Sequence, residues 1–155
     1  MRRWIPIIAA CLVATGCAAA RPKFPATHDM SFFLGRYDKV WEVTVKVLES
    51  RSLEIKDINR ENGVITTRFT NYSAGPKAHH DIEKIAERPP VRLALYTQVG
   101  YSLQIILTPV NDMSTQVRVK ATIEAYDSNA TKKWHTCTSK GLLEQDILRA
   151  IKQSL

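Results

Sequence analysis

The stretches Leu93-Ala94-Leu95-Tyr96-Thr97-Gln98-Val99-Gly100-Tyr101-Ser102-Leu103-Gln104-Ile105-Ile106-Leu107 and Gln116-Val117-Arg118-Val119-Lys120-Ala121-Thr122-Ile123-Glu124-Ala125 decide the fold. In the first, Leu93, Leu95, Val99, Tyr101, Leu103, Ile105 and Leu107 share one parity, and Thr97 is the only polar residue of that series. In the second, Val117, Val119, Ala121, Ile123 and Ala125 alternate with Gln116, Arg118, Lys120, Thr122 and Glu124. Successive strand side chains point to opposite faces, so this pattern predicts antiparallel strands with one buried and one wet face. Pro109–Ser114, with Asn111-Asp112 at the bend, joins the two strands. Ser128-Asn129 then turns the chain into a last strand, Thr131–Thr136, which carries Trp134.

Upstream, Asn62-Gly63 supplies a positive-φ pair between Leu53–Ile58 and Val64–Thr70, and the three segments read as a β-hairpin. Tyr37–Arg51 reads as a helix with Tyr37, Trp41, Thr44 and Leu48 on one face and Val40 and Val47 beside them. Asp38 is placed to cap it, and Glu42 and Lys46 have the favourable i,i+4 order. Val43, Val45 and Val47 also alternate, so a strand is the competing reading. Downstream, Ser139 can cap a final helix on which Leu143, Ile147, Ile151 and Leu155 lie a turn apart, with Glu144 and Asp146 near its positive end.

Residues 71–90 interrupt these patterns. Asn71–Pro76 is loop-like, Pro89-Pro90 closes the stretch, and His79–Arg88 has room for a short helix. So long a break reads as a functional loop whose removal over 74–88 leaves the fold intact. The expected fold is α+β: an antiparallel sheet of about five strands, with an N-terminal and a C-terminal helix packed on one face and a polar, wet opposite face.

The 155 residues suffice for one domain, and 45% hydrophobic with 24% charged residues excludes the low-complexity and disordered classes. No apolar run is long enough to span a bilayer as a helix. The chain opens with basic Met1-Arg2-Arg3, then apolar Trp4–Val13, then Ala14-Thr15-Gly16-Cys17, the layout of a secretory signal. Leu12-Val13-Ala14-Thr15-Gly16-Cys17 resembles a bacterial lipobox. The resemblance implies cleavage between Gly16 and Cys17 and a diacylglyceryl group on the Cys17 thiol. Ala18, where Asp would retain a lipoprotein at the inner membrane, implies the outer membrane. The expected organisation is a signal peptide at 1–16, a lipidated Cys17 with a flexible Pro22- and Pro25-containing tether over 17–30, and one domain over 31–155. Phe32-Phe33-Leu34, just after the tether, packs into the core or touches lipid or a partner.

Loss of Arg2 and Arg3 with the signal leaves 20 basic against 15 acidic residues, so the net charge falls from +7 to about +5. The basic residues are scattered, with Lys132-Lys133 the only adjacent pair beyond the signal, so no nucleic acid partner is expected. Cys11 leaves with the signal and Cys17 carries lipid. Cys137 is then alone, either an inert buried thiol or the donor of a mixed disulfide with a partner.

His79-His80-Asp81 with Glu83 is the one cluster of metal-ligand residue types. Adjacent histidines rarely share a zinc, and no H-x-x-x-H or C-x-x-C spacing accompanies them, so no metal or cofactor is expected. Cys137 and His135, on one strand face, are the local candidates for thiol catalysis. No nucleophile elbow, phosphate-cradling glycine loop or EF-hand is present, and the chain reads as non-enzymatic. Tyr72, Lys77, His79, His80 and Arg88 of the 71–90 stretch are the candidate partner-binding residues, with a sheet edge open to strand addition.

Behind a lipobox and a Pro-containing tether come a helix opened by Tyr37-Asp38-Lys39-Val40-Trp41, a hairpin running from Leu53-Glu54-Ile55 to Gly63-Val64-Ile65-Thr66-Thr67, and a strand-to-helix corner, Trp134-His135-Thr136-Cys137-Thr138-Ser139-Lys140-Gly141-Leu142-Leu143-Glu144. This order resembles the helix-grip-like domains of BamC and related small outer-membrane lipoproteins. The resemblance implies a two-layer domain anchored to the outer membrane and facing the periplasm, acting as an interaction or assembly module with an envelope protein partner. BamC carries two such domains, and one fits here. A carrier of lipid or another apolar ligand, held in a groove between sheet and helix, is the alternative function, and an enzyme using Cys137 and His135 the third.

Overall fold

The structure, a computed structural model, describes residues 29–155. Gly16, Cys17, the signal and residues 18–28 of the tether lie outside the described residues. In chain order the elements are β1 (Met30–Leu34), α1 (Tyr37–Ser50), β2 (Ile55–Asn59), β3 (Val64–Thr67) and β4 (Thr70–Ala74). A 3-10 turn (Gly75–Lys77) follows, then α2 (Ala78–Ile85), β5 (Ala86–Glu87), β6 (Tyr96–Asn111), β7 (Ser114–Asp127), β8 (Trp134–Ser139) and α3 (Leu142–Ser154).

The two decisive stretches form the long hairpin β6–β7, in register from Val99↔Ala125 to Leu107↔Val117. All strand pairs in the sheet are antiparallel. The hydrogen-bonded path is β2-β3-β6-β7-β8-β5, with β4 also pairing β6 and β1 also pairing β7. β3 and β4 thus lie end to end along β6, while β1 and β8 lie end to end along β7. At the step between β3 and β4, Thr67 Oγ1 accepts the Leu103 N–H at 2.9 Å and replaces the missing ladder bond.

The architecture is α+β with an open antiparallel sheet, and three expectations change. The sheet has eight strands rather than about five, because β1, β4 and β5 are too short to show a period of two and form only against the long strands. There are three helices rather than two. Residues 71–90 are not a loop: they form β4, α2 and β5, and Ala78, Ile82, Ile85 and Ala86 are fully or nearly fully buried. Deleting 74–88 would uncover the apolar face those residues cover, so this stretch is part of the fold.

The parity of β6 also changes upstream of Val99. A register irregularity between Tyr96 and Gln98 inserts one residue, so Tyr96 is buried on the helix side while Leu93 and Leu95 are exposed. Thr97, the polar break in the series, sits at that irregularity.

Long-range packing makes α1 a helix despite its alternating valines: Val40, Trp41, Thr44, Val47 and Leu48 are all buried on one face. Arg36, not Asp38, is its N-cap; Asp38 lies in the first turn and takes a 2.7 Å hydrogen bond from Arg60 Nη2. Ser52 at φ 56° ends the helix. Gly141, at φ 79°, rather than Ser139 is the N-cap of α3; Ser139 lies two residues ahead of it, accepting the Gly141 N–H at 3.0 Å and donating to buried Glu144 at 3.0 Å.

The core has two parts on the same sheet face. Under α1 and α3 sit Trp41, Leu48, Ile105, Val117, Ile147 and Ile151. Under α2 sit Ile82, Ile85, Tyr96, Val99, Ile123 and Cys137. Tyr101 and Ala121 pack against both.

Candidate functional site

Of the residues singled out in 71–90, two meet. His79 lies in the first turn of α2 and Arg88 just after β5. Arg88 Nη1 is 2.6 Å from His79 Nε2, and the Tyr96 N–H approaches His79 Nδ1 at 3.3 Å. A neutral imidazole has one acceptor nitrogen, so only one of these two donors is satisfied at a time. The Tyr96 ring stacks on His79, with centroids 5.9 Å apart. Glu83 holds the Arg88 guanidinium, accepting from Nε at 2.8 Å. Burial, then the nearby Arg88 charge, push the His79 pKa down, so the ring is neutral at neutral pH. His79, Arg88 and Tyr96, with Pro89, Arg92 and Leu93, line an open pocket of about 400 Å³.

Tyr72, Lys77 and His80 do not join this pocket. Tyr72 lies on β4 with its ring 6.5 Å from Tyr101, Lys77 closes the 3-10 turn, and His80 is exposed. The metal-type run is pulled apart by other bonds. Asp81 accepts from Ser73 Oγ at 2.6 Å and Lys84 Nζ at 2.7 Å, while Glu83 is committed to Arg88. Among the described residues, no three His, Cys, Asp or Glu side chains gather as a metal site.

Cys137 and His135 share the helix side of β8 but do not form a dyad. The thiol donates to the His135 backbone carbonyl at 3.5 Å, and the imidazole Nε2 lies 2.6 Å from Thr131 Oγ1. Burial pushes the Cys137 thiol up to about 11, so it is protonated at neutral pH. The gap between β6 and α3, where an apolar ligand would enter, measures about 210 Å³ and has the Arg51–Asp146 ion pair in its wall.

Two features were missed in the sequence. The first is on the helix-free face. Gly100 leaves a vacancy there: an added Cβ would lie 2.3 Å from the Phe69 ring. Phe69 fills that space and meets Trp134 edge-on at 5.4 Å, and Trp134 in turn meets Tyr126 at 5.6 Å. Phe69 and Trp134 are 44% and 42% exposed, so this face is aromatic in part rather than uniformly polar and wet. Strand parity placed Trp134 opposite His135, but nothing local to Phe69 or Gly100 signals their contact.

The second is Asp127, fully buried at the end of β7. Its carboxylate accepts from the N–H groups of Leu95, Asn129, Ala130 and Thr131 and from the Thr131 hydroxyl, at 2.7–3.2 Å. Burial opposes its charge, but these hydrogen bonds outweigh burial and hold the carboxyl well below the usual carboxylate range. Asp127-Ser128-Asn129 resembled an ordinary turn, and the bond to Leu95 could not be read from it.

No family model matches this chain, and no curated protein matches it. No helix among the described residues is long and apolar enough to cross a membrane.

Proposed function

We propose that this chain is a lipid-anchored, non-enzymatic envelope lipoprotein, held at the outer membrane through Cys17 and acting as an interaction module for an envelope protein. The aromatic cluster of exposed Phe69 and Trp134 with half-buried Tyr126, on the helix-free sheet face, is the observation that carries the interaction reading. Aromatic side chains bury large area at low entropic cost and are favoured at protein interfaces. The lipobox-like run ending at Cys17 supports the anchor, and the helix-covered antiparallel sheet is compatible with a BamC-like domain.

The protonated Cys137 thiol and the separated His135 favour binding over thiol catalysis. A groove of about 210 Å³ is smaller than the roughly 300–1,000 Å³ usual for ligand sites, which favours a protein partner over a carried lipid. Strand addition at β2 is disfavoured by its register irregularity and by Lys56 and Asp57.

The test is purification of tagged full-length protein from its host in mild detergent, with mass spectrometry of the co-purifying proteins. The expected result is a stoichiometric partner that is lost on Trp134→Ala and kept on His80→Ala. A partner retained by Trp134→Ala would overturn the assignment of this face. Release from membranes on Cys17→Ser is expected, and unchanged membrane attachment would overturn the anchor.

A further inference from the structure

We infer that the end of the sheet built from residues 88–95 and 128–133 rests on an anionic phospholipid surface, with Leu93 in the headgroup layer. This inference rests on the lipid-anchor reading above and goes beyond it, since an anchor alone does not orient the domain.

The two segments form one tip. Asp127 accepts the Leu95 N–H at 2.9 Å, the Ser128 N–H donates to the Leu95 carbonyl at 2.9 Å, and Asn129 Nδ2 donates to the Leu93 carbonyl at 2.9 Å. Leu93 has φ 61°, in the left-handed region that branched side chains avoid, and it is 76% exposed. The tip therefore holds a leucine outward in a strained backbone instead of folding it inward, the kind of outlier that marks a functional segment. Leu95 is exposed beside it.

The tip is also basic. Residues 88–95 and 128–133 contain Arg88, Arg92, Lys132 and Lys133 and no acidic residue. Asp127 beneath them is buried and fully engaged, while Glu83 pairs with Arg88 and Glu87 precedes it on β5. Arg92 has no ion-pair partner among the described residues. A cationic rim around exposed leucines fits an anionic membrane surface, to which basic residues are drawn.

Charge selects this end over the other. The far end of the hairpin, about 45 Å away along β7, also exposes Met113 and Val110, but it carries Asp112 and Asp38 beside Arg36. β1 runs antiparallel to β7, Met30 lies opposite Arg118, and the Asp29 carbonyl accepts the Val119 N–H. β1 therefore begins at the level of Val119, with its N-terminus directed toward the Asp127 end. From the level of Val119 to that end is about 26 Å. Residues 18–28, between the lipidation site and Asp29, can span at most about 36 Å. The far end, about 17 Å from the level of Val119, lies within the same reach, so it is charge that separates the two ends.

The experiment uses the full-length lipidated protein in vesicles of phosphatidylethanolamine and phosphatidylglycerol. An environment-sensitive fluorophore is placed at Leu93→Cys or, as a control, at Met113→Cys. Cys137 is buried and protonated, so the introduced thiol is the reactive one. The expected result is a blue shift at position 93 with about two-fold or greater excess quenching by lipid-borne quenchers over position 113. That excess should shrink with Arg92→Glu or in pure phosphatidylcholine. Equal exposure of both probes to water on vesicle-bound protein, or quenching at 113 rather than 93, overturns the orientation and leaves the anchor standing. Shielding of position 93 only on adding an acidic protein also overturns it. Protein that stays off the vesicles, with no lipid mass on the Cys17 peptide, removes the anchor and the inference with it.

Discussion

The two halves of the sheet are covered in different ways. Under α1 and α3, two helices of 14 and 13 residues close a large apolar core. Under α2, an eight-residue helix and a two-residue strand cover a smaller core, and the end of the sheet is held by one buried carboxylate and its five donors. Long amphipathic elements draw stability from area removed from water, whereas the short ones depend on neighbours that are already in place. The first half is therefore expected to be the last to open, and the second, which carries the basic tip, the first.

Paired cavity mutations test this most strongly. Leu48→Ala in α1 and Ile82→Ala in α2 both empty fully buried sites, and each is expected to cost about 2–5 kcal/mol locally. Native-state hydrogen exchange should show Leu48→Ala weakening the amides of the whole sheet, and Ile82→Ala mainly those of α2, β5 and β8. Equal, global effects of both would mean that the halves are one cooperative unit.

Asp127→Asn comes next, because an amide cannot accept from all five donors. The melting temperature should fall by about 5–10 °C at pH 7. The native carboxyl is held below its unfolded value near 3.9, so its contribution is complete above about pH 5 and is lost as pH drops through the native value. The gap between wild type and variant should therefore narrow from pH 5 to pH 2; a gap that stays constant would refute the role given to this charge.

Gly100→Ala probes the helix-free face. The new methyl would strike the Phe69 ring, and a loss of about 1–3 kcal/mol in denaturant unfolding is expected. Phe69→Ala in the same chain should recover part of that loss, although the methyl also meets the Thr70 carbonyl at 2.7 Å. Additive losses would show that the ring is not the obstacle.

The smallest effect should come from Arg60→Ala. Its 2.7 Å bond to Asp38 is solvent-exposed, and such pairs contribute about 0.2–1 kcal/mol. A larger loss would point to its approach to the Trp41 ring at 5.8 Å.

The sequence was most legible where side chains repeat. The alternation from Val99 to Leu107 and from Val117 to Ala125 stands as read, because the pattern is local; the hairpin through Asn62-Gly63 forms with Gly63 alone at positive φ, and α3 buries Ile147 and Ile151 beside Leu148 and Glu144 and ends before Leu155. Residues 71–90 were legible only as room for a short helix, which α2 fills over Ala78–Ile85; its burial and the strands β4 and β5 were not, because α2 offers only Ala78, Ile82 and Ile85 as apolar anchors and β5 has no period at all. Of the proposed binding residues only His79 and Arg88 converge, since that meeting depends on the turn between α2 and β5.

Alternation along one segment sets which face of that segment avoids water, so the sequence by itself determined the antiparallel hairpin, its buried face and the helical packing partners it needs. Tertiary structure alone decided that Tyr96 rather than Leu95 turns inward, that Phe69 occupies the space above Gly100, and that Asp127 ties Leu95 to the β7–β8 turn. Each of these joins residues about 30 apart in sequence, or shifts a strand's parity by one residue, and the energy of such a contact exists only once the neighbouring strands have set its distance.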